Sequence, residues 1–278
     1  MKVCIDKVSG RTNLIYGLYN SYKERKSNLI LEKGGEIIDL DSVTEEYLER
    51  AVQEKNVALL HTLSEPRQNK LIELAIWRDK KWANGKTIKV KFLGGTQFLR
   101  DKVVEKALIW TQFANINFDF IENDDAEIRI SFQQEIGSWS YIGVDCLNIT
   151  NQAEPTMNFG WFDQTTPDLE FSRTVLHEFG HALGCIHEHQ SPAASIPWNK
   201  PAVYRYYAAT QGWTQDDVDN NLFAVYDNST ISNSGFDRNS IMLYPIDPLM
   251  TGGRFSVGMN NLLSMNDITY IKQWYPGR

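Results

Sequence analysis

Four of the five histidines of this 278-residue chain fall within sixteen residues, Thr174 to His189. They sit in the run His177-Glu178-Phe179-Gly180-His181-Ala182-Leu183-Gly184-Cys185-Ile186-His187-Glu188-His189. His177 and His181 are four apart, so a helix projects both from one face, one turn above the other. Two imidazoles held that way reach a single zinc ion at about 2.0–2.1 Å each. Glu178 is rotated by roughly 100° from the first ligand, where a general base for a zinc-activated water stands. Gly184 can take the left-handed conformation that ends a helix and turns the chain back. His187 then closes on the metal from outside the helix. Three protein nitrogens leave a fourth position to water, the arrangement of a catalytic zinc, so one catalytic Zn2+ is the expected cofactor. A bare H-E-x-x-H arises by chance on surface helices. The added glycine and third histidine, H-E-x-x-H-x-x-G-x-x-H, make the metal reading far more specific.

The elements around this run have to position it. Thr166-Pro167-Asp168 reads as a helix start, with a capping hydroxyl, a proline in the first turn and an acid against the dipole. Phe171, Val175, Phe179, Ala182 and Leu183 form an apolar stripe that packs under a sheet while His177 and His181 face a cleft. Cys185 reads as a small buried apolar side chain rather than a thiolate ligand, since three histidines suffice. His189 is surplus, a surface or supporting residue. Upstream, Ile88, Val90 and Phe92 alternate with lysines as a half-buried strand ending at Gly94-Gly95. An amphipathic helix is expected from Arg100 to Ala114. Two more alternating strands follow, Ile116 to Phe120 and Ala126 to Phe132, joined by an Asn123-Asp124-Asp125 turn. Gly137 to Gly143 reads as either an exposed edge strand or a glycine-bounded loop or inner strand, and Pro155 to Trp161 as the last strand before the helix. Beyond it, Asn199, Thr214 and Ser264 each open a helix.

At its histidine run the chain resembles the metzincin zinc endopeptidases, and Glu188 directly after the third histidine is the astacin-type variant. A Met-turn is present downstream as Ser240-Ile241-Met242-Leu243-Tyr244. The resemblance implies that Met242 is an apolar floor beneath the histidines. It implies that Tyr244 is a fifth zinc ligand able to swing and stabilise an oxyanion. It also implies that Glu188 orients a ligand or ties down the chain terminus of a processed enzyme. The implied activity is zinc-dependent hydrolysis of peptide bonds in protein or peptide substrates, with Glu178 and Tyr244 catalytic, His177, His181 and His187 on the metal, and Met242, Gly184 and Glu188 in support. The implied fold is α+β, a metzincin-type zincin: a twisted mixed β-sheet backed by two long helices, one of them the zinc helix, and a mostly helical or irregular C-terminal subdomain. The resemblance covers about residues 82–278, roughly 70% of the chain, divided as 82–184 and 185–278. A metal-binding pseudoenzyme is the competing reading, and intact Glu178 argues against it. A zinc hydrolase acting on a non-peptide amide is another.

Residues 1–81 carry no readable chemistry. Ser42-Val43-Thr44-Glu45 opens a charged helix to about Lys55, and a second helix is expected from about Pro66 to Trp82. The segment stands where metzincins carry a pro-segment, yet shows neither a cysteine-switch nor an Phe-x-Gly-Asp motif, so a pro-segment and a structural helical extension stay equally open. Hydrophobic content of 42% and charged content of 23% suit one globular protein, expected to be a monomer. A net charge of −7 without a basic run argues against a nucleic-acid partner. No apolar run approaches the roughly 20 residues of a membrane span, and the N-terminus lacks a secretory apolar core. Three cysteines, Cys4, Cys146 and Cys185, make no disulfide framework. Export without a recognisable signal is the expected route, with a cytoplasmic location as the alternative.

Overall fold

The computed structural model describes residues 4–7, 32–33, 36–37, 80–134, 136–191, 194–225 and 236–278. Three short strands come first, β1 (Cys4–Lys7), β2 (Glu32–Lys33) and β3 (Glu36–Ile37), the last two pairing as an antiparallel ladder. The helix expected around 42–55 lies outside the described residues, as does most of the one expected over 66–82, whose last residues, Lys81 and Trp82, are not helical.

From residue 87 the order is β4 (Thr87–Phe92), α1 (Gln97–Ala107), β5 (Asn117–Ile121), β6 (Ile128–Ser131), β7 (Ser138–Tyr141), β8 (Met157–Asn158) and α2 (Asp168–Ala182). The strands form one mixed sheet in the order β1-β7-β8-β6-β4-β5. β4, β5, β6 and β8 run parallel to one another, and β7 lies antiparallel to β8. The fold is α+β, with α1 and α2 packed on the sheet. Phe118 of β5 meets Phe179 of α2 edge-on at 5.0 Å, and Phe98 of α1 meets Phe171 of α2 at 5.9 Å.

Parallel strands inside such a sheet are covered on both faces, and this corrects the alternation expected for β6. All four of its residues are buried, Arg129 included. The Arg129 guanidinium satisfies its donors on the carbonyls of Ala126, Ile149 and Glu154, which makes the burial of a charge tolerable. α1 also differs from expectation. It starts three residues early, because the Thr96 hydroxyl accepts from Leu99 N–H as N-cap, and it stops at Ala107. A 3-10 turn, Trp110–Gln112, follows and carries Trp110 to the zinc helix, where its indole N–H donates to the Leu176 carbonyl at 2.9 Å. Only Met157 and Asn158 of the expected 155–161 strand are extended into the sheet.

α2 is buried all round from Phe171 to Ala182, not along one stripe, as suits a helix enclosed on every side. Its N-cap is Pro167; Thr166 is instead the acceptor for Asp163 N–H one turn earlier. Asp168 holds the first turn by ion pairs to Lys102 at 2.6 Å and Lys106 at 2.8 Å. The far end closes as the sequence requires. Gly184 has φ +98°, Gly184 N–H donates to His181 O and Cys185 N–H to Gly180 O, a Schellman pair. Two terminal carbonyls of α2 are met from afar, Ala182 by the Trp82 indole at 2.7 Å and Leu183 by the Tyr275 hydroxyl at 2.8 Å.

The C-terminal subdomain is helical and irregular, with α3 (Lys200–Gln211), α4 (Gln215–Val218) running into a π-helical turn, Asp219–Phe223, and α5 (Met265–Trp274). Asn199, Thr214 and Ser264 cap them as expected, the last two through reciprocal capping boxes with Asp217 and Asp267. Among the described residues no helix is long and apolar enough to cross a membrane.

Candidate metal centre

α2 brings His177 and His181 to one face, and the turn at Gly184 returns His187 to them. All three imidazoles are buried. Their Nε2 atoms form a triangle of 3.1 Å (177–181), 3.2 Å (181–187) and 3.3 Å (177–187). Three nitrogens on a tetrahedral zinc at 2.0–2.1 Å stand about 3.3–3.4 Å apart, so the triangle matches the ion. Among the described residues this is the one group of three or more ligand side chains close enough to share a metal.

The outer nitrogens fix the tautomers. His177 Nδ1 lies 2.8 Å from the Ile241 carbonyl and His181 Nδ1 lies 2.9 Å from the Cys185 carbonyl. A carbonyl only accepts, so each Nδ1 carries the proton and each Nε2 presents a bare lone pair. Two such lone pairs 3.1 Å apart repel one another unless a cation lies between them. Burial, with the neighbouring His181 and His187, also holds His177 well below its ordinary value of 6.5. It therefore stays neutral, and able to ligate, at physiological pH. The donor set fits zinc in number, type and spacing, and for His177 and His181 in tautomer.

The Met-turn lies against this triangle. Met242 is buried, and a methyl group built on Gly180 of α2 would stand 2.4 Å from its Sδ, so the thioether is pressed onto the helix between the ligand turns. The turn is anchored by Asp267, which accepts from Ser240 Oγ at 2.7 Å and Ile241 N–H at 2.8 Å. Glu188 donates its N–H to the Met242 carbonyl at 3.0 Å, and its carboxylate accepts from Asp237 N–H at 2.8 Å. Burial pushes the Glu188 carboxyl up to about 7, aided by Asp267 and Asp237. Tyr244 is buried with its ring 4.2 Å from His187 and 5.9 Å from His177, centroid to centroid. Glu178 follows His177 on α2 and is fully buried.

Every site residue expected from the sequence is thus in this one region. One expectation about a neighbour stands in substance and another narrows. Cys185 is half-buried and contributes its carbonyl to His181; its thiol is not among the ligand atoms that converge, and desolvation pushes the thiol above its ordinary range. His189 is 2% exposed and stacks on His187 and Tyr244, which excludes a surface role. The carbonyls of Ile241 and Cys185 were not foreseen, because a backbone acceptor has no residue signature. Asp267 was foreseen only as a cap, and its second bond to the Met-turn had no signal in the sequence. Arg173, one turn before His177, helps with Glu170 and Trp161 to wall a cavity of about 310 Å³.

No protein-family model and no curated protein matches the chain. Among solved structures it is similar to myroilysin, at 49% identity and a TM-score of 0.70 over 73% of this chain and 98% of that one. A second myroilysin structure gives 50% identity and 0.58 over 71% and 86%. A hatching-enzyme zinc-protease of the medaka fish Oryzias latipes aligns at 19% identity and 0.49, too loosely to carry an argument. A zinc-fitting triangle on a Schellman-capped helix, a buried Met-turn against it, and identity with myroilysin at about half the aligned positions reach one conclusion: the chain belongs to the astacin-like metzincins and is a zinc-dependent endopeptidase.

Proposed function

We propose that His177, His181 and His187 are the zinc ligands of this endopeptidase, with Glu178 as general base and Tyr244 as oxyanion donor and fifth ligand. The observation that carries the reading is the triangle of Nε2 atoms, 3.1–3.3 Å on a side, beside a buried tyrosine. Zinc bound there supplies Lewis-acid polarisation of the scissile carbonyl and lowers the pKa of water toward 7. Glu178 takes the proton of the attacking water on its carboxylate and returns it to the leaving amine. Tyr244 donates its phenolic hydroxyl to the carbonyl oxygen as negative charge grows on it, worth roughly 2.7–4 kcal/mol for a donor of this type. Met242, Gly184 and Glu188 hold the frame: the floor, the helix end and the tether to the Met-turn.

The substrate is a protein or peptide taken as an extended strand, and residues 1–81 serve as a pro-segment ahead of the catalytic part, 82–278. The pairing of β1 with β7 supports this, since it takes up a sheet edge that an extended peptide would use. The chain works outside the cell as a monomer and without nucleic acid, for which its net charge of −7 is unsuited.

Glu178→Gln tests the central assignment. It is expected to leave one zinc per chain by metal analysis while lowering turnover of a protein substrate by about 10²–10⁴-fold. A rate near that of the unmodified enzyme overturns Glu178 as the base.

A further inference from the structure

We infer that His189, which lies outside the zinc signature, is a positioning residue that holds the Tyr244 ring in place beside the metal ligands. The inference rests on the reading of Tyr244 as the oxyanion donor.

Three rings meet in a small buried triangle, His187 and His189 stacked and Tyr244 tilted against both, by 55° and 34°. His189 lies 5.0 Å from His187 with 22° between planes, and 4.8 Å from Tyr244 with 34° between planes. Tyr244 closes the triangle at 4.2 Å from His187. One wall of the tyrosine ring is therefore a ligand imidazole and another is His189. A phenol that must meet a charge forming at one point gains from walls that do not move, because misplacement by about 1 Å costs on the order of 100-fold.

His189 is itself held from two directions. Its own 3-10 turn, Glu188–Gln190, is tied to the Met-turn by Glu188 N–H on the Met242 carbonyl, 3.0 Å, two residues before Tyr244. Its Nε2 lies 2.8 Å from the Asn221 carbonyl, so Nε2 carries the proton and donates. Asn221 belongs to the π-helical turn Asp219–Phe223, whose i→i+5 bond is Ala224 N–H to Asp219 O at 2.7 Å. The last four carbonyls of a helix have no partner within it, and here consecutive side chains meet two of them. His189 takes Asn221, and Gln190 takes Asn220 at 3.1 Å. A π-turn is uncommon and is found disproportionately at functional sites. This one anchors the imidazole by one edge, while the ring's bulk against Tyr244 is what walls the phenol.

A capping role alone needs any donor to Asn221, whereas positioning needs the ring, and the two separate in a set of variants of the zinc-loaded full chain. His189→Ala is expected to lower kcat about tenfold, with KM within about twofold and one zinc retained per chain. In a Tyr244→Phe background the same substitution is expected to change kcat by less than about twofold, since a residue acting through Tyr244 has nothing left to position. His189→Asn keeps a donor for Asn221 without the ring and is expected to behave as His189→Ala; His189→Phe keeps the ring and is expected to restore kcat. In the metal-free protein, NMR of ring-labelled tyrosine is expected to show Tyr244 flipping faster in His189→Ala and His189→Asn than in the unmodified chain, and slowed again in His189→Phe. Equal losses of kcat in both backgrounds, full activity in His189→Asn, or an unchanged flip rate overturns the inference. A Tyr244→Phe variant as active as its parent sinks the oxyanion reading instead, and the flip rates then decide His189's hold on the ring by themselves.

Discussion

Gly180 stands between the two helical ligands, directly before His181, and its missing methyl group is what lets Met242 approach. A Cβ there would sit 2.4 Å from Met242 Sδ and 3.3 Å from the Trp110 indole, both buried side chains. In an exposed helix interior, alanine is better than glycine by about 1 kcal/mol. At this position overpacking of roughly 1–3 kcal/mol opposes that gain. Gly180→Ala is therefore expected to lower the melting temperature despite its better helix propensity, both with zinc and with a chelator. A melting temperature equal to or above the parent's would mean that Met242 moves aside freely. The same paired measurement separates floor from ligand, because the shift should persist when the metal is removed.

At the scale of elements, α2 is where burial and charge meet most closely. Burial pushes the Glu170 carboxyl up, but the Arg173 guanidinium, the Trp161 indole at 2.8 Å and the Thr174 hydroxyl at 3.2 Å outweigh it and hold Glu170 below its ordinary 4.5. A carboxylate whose folded value is depressed stabilises the fold above its unfolded value, and the gain is lost as pH falls through the folded one. Glu170→Gln is thus expected to cost roughly 1–2 kcal/mol at pH 7. The difference from the parent should shrink steadily once the pH drops below 4.5, as followed by urea unfolding. A cost that is the same at pH 7 and pH 3 would show that the charge of Glu170 contributes nothing. What the sequence made legible at this scale were patterns carried by side chains in local order: the ligand spacing, the glycine at the helix end, the capping boxes at Thr214 and Ser264, the alternation of β4. What escaped it depends on partners far along the chain. β6 is an inner strand, paired on both edges, and what covers its two faces comes from elsewhere in the chain. Trp82 and Tyr275 reach α2's terminal carbonyls across 100 and 92 residues. The π-turn after α4 opens on Asp219-Asn220-Asn221, a run with no side-chain pattern that marks such a turn.

At the scale of the whole molecule, the sheet does not end where the catalytic part ends. β7, read from the sequence as an edge, a loop or an inner strand, is paired on both sides, with β8 antiparallel and with β1 parallel in the register Cys4–Ser138, Ile5–Trp139, Asp6–Ser140 and Lys7–Tyr141. A strand edge is a row of N–H and C=O groups that any extended chain can use. A strand carried on the same chain competes for it as an intramolecular partner, without the concentration limit of a separate peptide. An extended peptide that is to pair with β7 has to displace β1 first. Deleting residues 1–7 is therefore expected to raise kcat/KM several-fold on peptides long enough to lie along β7. The gain should come mainly through a lower KM, because a competitor for binding leaves the zinc chemistry untouched. Peptides too short to reach the strand should show little change, which makes them the internal control. Equal gains on long and short peptides would locate the effect of the segment at the metal centre and not at the sheet edge. No gain on either would mean that substrate binds without using β7.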